Sequence, residues 1–142
     1  MSARRWLIKS EPAAFSWDDL IEAGETVWDG VRNHRAANNL RAMRKGERAF
    51  FYHSVTGKEI VGIAEVTEAG LADPKDDKWA AVKFRAVRPL ERPVTLAEIK
   101  ADAALAQFEL VRLSRLSVAE VQPDEWERIC LLAKSSRENA GH

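Results

Sequence analysis

The stretch Thr26–Glu47, TVWDGVRNHRAANNLRAMRKGE, decides how this chain is read. From Val27 to Asn33 it sets an indole, a carboxylate, a glycine, a guanidinium and an amide side by side. Burying Asp29 and Arg32 without partners would cost several kcal/mol, so the mixture is poor core material. It suits the wall of a pocket. Asp29-Gly30 is a turn signal, because glycine takes a positive φ without a Cβ penalty. A turn there leaves Trp28 on one side and Arg32 and Asn33 on the other, facing one concavity, with Val31 among them. The segment then predicts a helix from Asn33 to about Arg44, with Asn33 as N-cap, Leu40 and Met43 buried and Gly46 ending it. Between Val31 and Arg48, six Lys or Arg stand against one acid, Glu47, in a chain of zero formal net charge.

Upstream, Arg5–Lys9 (RWLIK) predicts a strand that Ser10-Glu11-Pro12 terminates. Ser16 and Asp19 form a capping-box pair for a helix over Trp17–Ala23, with Gly24 at its stop. Downstream, Arg48–His53 (RAFFYH) and Ile60–Val66 (IVGIAEV) predict a hairpin across Ser54–Glu59. Gly70–Lys78 reads as a polar loop. Trp79–Val87 reads as a strand with Ala80, Val82, Phe84 and Ala86 on one face and Lys83 and Arg85 on the other. Pro89 and Pro93 bracket a turn, and Thr95 and Glu98 cap a helix from Leu96 to about Ala101. A short turn follows near Ala103–Phe108, then a strand over Leu116–Val121. Pro123 opens a helix to about Ala133, with Trp126, Ile129, Cys130 and Ala133 on its buried face. The tail from Lys134 to His142 has no apolar pattern and is expected to fray. Short strands interspersed with short helices predict an α+β domain, a curled sheet with helices around its rim, spanning 1–142.

Composition narrows the function. The 142 residues are 46% hydrophobic and 31% charged, as in an ordinary soluble folded protein. No apolar run approaches a membrane span or a signal peptide, so no membrane partner is expected. The single cysteine, Cys130, excludes an internal disulfide and fits a reducing cytoplasm. Zero net charge argues against coating nucleic acid through bulk charge and leaves room for a local basic face. No histidine pair has zinc spacing, and no Cys-x-x-Cys, phosphate-cradling glycine loop or nucleophile elbow occurs. No metal, cofactor or catalytic activity is expected, and the chain is expected to be a monomer.

Six ordered segments carry a further signal: WLIKSEP (6–12), TVWDGVRNHRAANNLR (26–41), FFYHS (50–54), IVGIAEV (60–66), VRPLERPVTLAEIKAD (87–102) and LVRLSRLSV (110–118). Together they resemble the EVE domain family, over Arg5 to about Ile129. The resemblance implies a PUA-like fold, a small mixed β-barrel flanked by short helices and similar to YTH and ASCH domains. It also implies recognition of a modified base in DNA or RNA, taken from a single strand or flipped from a duplex.

For such a role an aromatic wall contributes about 1–3 kcal/mol per stacked base. Trp28 is the first candidate, Trp6 and Tyr52 the next, while Trp17, Trp79 and Trp126 read as core. Donors and acceptors for the base edge would come from Asp29 and Asn33, supplemented by Ser10, His53, Ser54 and Ser117. Each serine reads equally as a turn or cap residue, Asp29 also as an Asx-turn or ion-pair partner of Arg32, and His53 also as a structural histidine. Arg32, Arg35, Arg41, Arg44 and Lys45, with Lys9 and Arg115, are candidates to line phosphates, and Arg41, Arg44 and Lys45 read equally as a solvated helix face. A methyl group contributes only about 0.8 kcal/mol, roughly a fourfold preference, so discrimination is expected to be modest. Two other functions stay open: a protein-interaction module with a vestigial pocket, and a base-processing enzyme using Asp29.

Overall fold

Two reciprocal capping boxes and one very long hairpin set the frame of the fold. The computed structural model describes residues 3–134, so the tail beyond Lys134 lies outside the described residues. In chain order the elements are β1 (Arg5–Ser10), α1 (Trp17–Ala23), β2 (Glu25–Trp28), α2 (His34–Ala42), β3 (Arg48–His53), β4 (Glu59–Asp73) and β5 (Asp76–Thr95). They continue as α3 (Leu96–Ala101), a 3-10 turn (Ala103–Leu105), α4 (Glu109–Arg112), β6 (Val118–Val121) and α5 (Pro123–Lys134). In α1, Ser16 accepts from the Asp19 N–H while the Asp19 carboxylate accepts from the Ser16 N–H; Thr95 and Glu98 do the same for α3. Both helices have the bounds their caps predict.

The strands form one sheet in the order β2-β5-β4-β3-β1-β6. Only β1 and β3 run parallel; every other neighbour is antiparallel. No ladder joins β2 to β6 among the described residues, so the sheet is curled but open. The curl still acts across the interior. Trp28 at the end of β2 meets Phe51 of β3, three strands away in the order, with ring centroids 5.7 Å apart. Trp6, Phe50, Phe51, Phe84 and Phe108 are fully buried in the core between sheet and helices.

Two expectations need correction, and one strand has no counterpart in the sequence reading. Gly70–Lys78 is not a loop: β4 and β5 run on to Asp73 and Asp76, and only Pro74-Lys75 turns the chain. Pro89 and Pro93 do not bracket a turn either. Pro89 lies within β5 opposite Gly62, where the ladder shifts register, the kind of irregularity that tolerates a proline. Glu25–Trp28, the entry to the central stretch, is an edge strand on β5. Smaller shifts occur at α2, which ends at Ala42, and at β6, which begins at Val118. No helix among the described residues is long and apolar enough to cross a membrane.

Candidate nucleic-acid interface

Between the ends of β1 and β2 lies an open cavity of about 600 Å³. Its wall is assembled from separate segments: Lys9 and Ser10 from β1, Phe15 before α1, Trp28 at the end of β2 with Asp29 to Asn33 after it, and Ser117 before β6. Gly30 makes the turn that the central stretch predicted, with φ +74°. Its backbone N–H donates to Asp73 Oδ2 at 2.8 Å, and Arg32 Nη1 donates to the same oxygen at 2.8 Å. The Lys75 N–H takes the other oxygen. Arg32 therefore pairs with Asp73 at the tip of the β4–β5 hairpin, and not with Asp29. The Asp73 carboxyl is held well below the usual carboxylate range, first by the Arg32 hydrogen bond and then by the N–H groups of Gly30 and Lys75. This buried carboxylate fixes both the turn and the guanidinium that follows it.

Trp28 is half-buried and lines the cavity. Phe15, Phe51 and Phe84 meet it in T-shaped contacts at 6.4, 5.7 and 5.9 Å, a geometry that aromatic quadrupoles favour. Asp29 is exposed and makes no hydrogen bond or ion pair among the described residues. The Asn33 side-chain oxygen accepts from the Ala36 N–H at 2.9 Å as the N-cap of α2, which leaves its amide N–H groups for the cavity. The Ser10 hydroxyl donates to the Phe15 carbonyl and holds that ring's backbone in place. Ser117 is half-buried with its hydroxyl unengaged among the described residues, and its carbonyl accepts from the Lys9 N–H at 3.0 Å. Val31 is buried on the inner wall.

The structure does not bring every expected residue to this cavity. Trp6 is fully buried, donates from Nε1 to Glu47 Oε1 at 2.9 Å and is covered by the Arg4 guanidinium at 4.6 Å. Tyr52 and Ser54 face a second hollow instead. His53 accepts at Nε2 from the Trp17 N–H at 3.0 Å, satisfying a donor at the start of α1. Burial lowers its pKa, in keeping with a neutral, structural imidazole. Among the cations, Arg35 and Arg115 line a smaller hollow of about 330 Å³ that shares Asn33 with the cavity, and Arg35 pairs with Glu109 at 2.7 Å. Arg41 points elsewhere, donating to Asn38 Oδ1 and the Lys78 carbonyl. Arg44 and Lys45 are exposed away from these walls. No cluster of His, Cys, Asp or Glu among the described residues is arranged to hold a metal ion.

Sequence reasoning missed two residues here. Phe15 precedes an N-cap, where an apolar side chain commonly packs back on the neighbouring structure, and that signal was available. Asp73 had none. It is 41 positions from Arg32 in a stretch rich in charge.

Comparison with known proteins places this geometry. The model of the EVE domain matches residues 4–132. Human thymocyte nuclear protein 1 is 32% identical over an alignment covering 89% of this chain and 72% of that protein. The solution structure of Rpa0253 from Rhodopseudomonas palustris superposes with a TM-score of 0.89 at 45% identity, covering 95% of this chain and 97% of the other. The crystal structure of human THYN1 in complex with DNA containing 5-methylcytosine superposes with a TM-score of 0.86 at 30% identity, covering 94% and 99%. The mixed open sheet with its short flanking helices is thus PUA-like, and the chain belongs to the EVE domain family.

Proposed function

We propose that this protein binds nucleic acid by receiving one modified base in the cavity beside Trp28. The observation that carries the reading is the wall itself: a half-buried indole next to the Asp29 carboxylate, the Asn33 amide and the Ser117 hydroxyl. The indole supplies a stacking face. Asp29 accepts from an exocyclic amine, Asn33 donates to a ring nitrogen or carbonyl, and Arg32, locked by Asp73, anchors the adjoining backbone. The charges that line the cavity, Lys9 and Arg32 against Glu11 and Asp29, nearly balance, which suits a neutral heterocycle. The crystallised complex of the human relative with 5-methylcytosine DNA makes that base the first probe. The role proposed is binding, in line with the human relative crystallised with DNA containing 5-methylcytosine.

The test is a fluorescence titration of single-stranded and duplex oligonucleotides with a central 5-methylcytosine or cytosine. Wild type is expected to favour the modified base by roughly fourfold from methyl burial alone. Trp28→Ala, checked for folding by circular dichroism, is expected to lose about 1–3 kcal/mol of binding. Failure of modified oligonucleotides to bind, or Trp28→Ala binding as wild type does, would sink the proposal.

A further inference from the structure

A second hollow, of about 560 Å³, opens beside the first, and Lys9 belongs to the walls of both. Their charge differs. The second is lined by Lys9, Lys58 and Lys100, with Tyr52, Ser54 and Ser114 among its polar residues, and no carboxylate faces it among the described residues. None of the three lysines has an ion-pair partner among the described residues. Lys9 Nζ donates only to the Ser114 carbonyl, at 2.8 Å, and lies 6.0 Å from the Tyr52 ring centroid. Several other cations of the fold are paired, as in Arg35–Glu109, Arg92–Glu98 and Arg128–Asp102; what sets these three lysines apart is that they gather around one concavity. Like charges gathered around one concavity focus a positive field that an anion relieves.

The backbone supplies a second observation. Val55 and Lys58 adopt φ +68° and +46°, a left-handed conformation that residues with a Cβ rarely take. Strain of this kind persists only where the surroundings fix it, and it gathers at ligand clamps. Here the Lys58 carbonyl accepts from the Leu96 N–H at 2.8 Å. The strained connection is thereby tied to the first turn of α3, the helix that carries Lys100. Lys58 and Lys100 come from distant parts of the chain yet are held in fixed relation.

We infer that the second hollow is a phosphate site, with Lys58 and Lys100 as its principal ligands, and that it receives a backbone phosphate of the strand whose base enters the first cavity. This assignment rests on the base-capture reading for its choice of strand. The shared Lys9 wall puts the two sites next to each other, as consecutive groups of one strand require.

Single-stranded oligonucleotides with one central 5-methylcytosine, and unmodified counterparts, are titrated against wild type and the double variant Lys58→Ala/Lys100→Ala over a series of salt concentrations. Losing one phosphate contact should make the log–log salt slope shallower by about 0.7. The double variant is therefore expected to bind more weakly at low salt with that shallower slope, while keeping the wild-type ratio between modified and plain strands. An unchanged slope overturns the phosphate site, and the base reading survives if wild type retains its preference. A shallower slope with no preference in wild type does the reverse: the base reading falls and the phosphate site stands. Inorganic phosphate, followed through the amide resonances of Lys58 and Lys100, separates a free anion from a strand. Saturation by inorganic phosphate that the oligonucleotide cannot displace would overturn the assignment to a strand.

Discussion

Trp6 and Trp28 carry the same side chain to opposite ends. Trp6 in β1 is enclosed on every side and its N–H is spent on Glu47, which also accepts from the backbone N–H groups of Arg4 and Arg44, each at 2.9 Å. Trp28 has its carbon skeleton braced by three phenylalanines, but its N–H has no partner among the described residues. Burying an indole and satisfying it are separate events. Trp6 is sealed and satisfied, and so is structure; Trp28 is half-buried on a cavity wall, where a face and a polar edge remain for a ligand.

The largest effect that would sharpen this contrast is on stability. Trp6→Ala removes a fully buried ring and leaves Glu47 short of a donor, so urea denaturation should show a loss of about 3–5 kcal/mol. Trp28→Ala should cost distinctly less stability while losing binding. Equal losses in both variants would break the comparison.

Gly62→Ala probes the layer behind Trp28. A Cβ on Gly62 would stand 2.5 Å from the Trp17 ring, which packs on Phe51, which in turn packs on Trp28. Overpacking there should cost about 1–3 kcal/mol by the same measurement and shift the Trp28 fluorescence environment.

Asp73→Asn tests the anchor of the turn. A carboxyl whose folded pKa is depressed contributes stability that is present above its ordinary value of 3.8 and lost as pH falls through the folded value. Wild type should therefore lose stability on acidification below that point by more than the variant does, and the variant should bind modified strands more weakly at neutral pH. Identical acid profiles would refute the role assigned to Asp73.

The smallest effect belongs to His53. Burial holds its pKa below the ordinary 6.5, so the neutral imidazole is favoured in the fold. Its contribution to stability is present above that value and falls away as pH drops through the folded pKa. Proton NMR should place its titration below 6.5. His53→Gln should flatten the stability profile between neutral and mildly acidic pH.

What could be read in advance divides along locality. The helices α1 and α3 were legible to the residue, because Ser16 with Asp19 and Thr95 with Glu98 encode their starts within four positions. β3 was legible as an aromatic run. The far half of the β4–β5 hairpin was not. Its charges and prolines have loop chemistry, and it forms strand only because each arm supplies the other's partner. The site divides likewise. The turn at Gly30 and the cap at Asn33 are local and were legible, whereas the pairing of Arg32 followed no neighbour rule. Adjacency suggested Asp29, and the fold chose an acid brought in by the hairpin. Trp6 and Tyr52 read as pocket candidates because an aromatic in a strand carries no mark of which hollow, if any, it faces.

Asp73 sits at the last position of β4, on the tip of an arm built from strands of 15 and 20 residues. Side chains alternate direction along such an arm. One residue added to the outer half of β4 without a compensating bulge would turn Asp73 to the opposite face, away from Gly30 and Arg32. The hairpin could still zip and the interior would be untouched, yet the loop beside Trp28 would come loose. Arm length thus works as a gauge: an odd change would leave the loop without its tether, while an even change would alter only the reach of the arm.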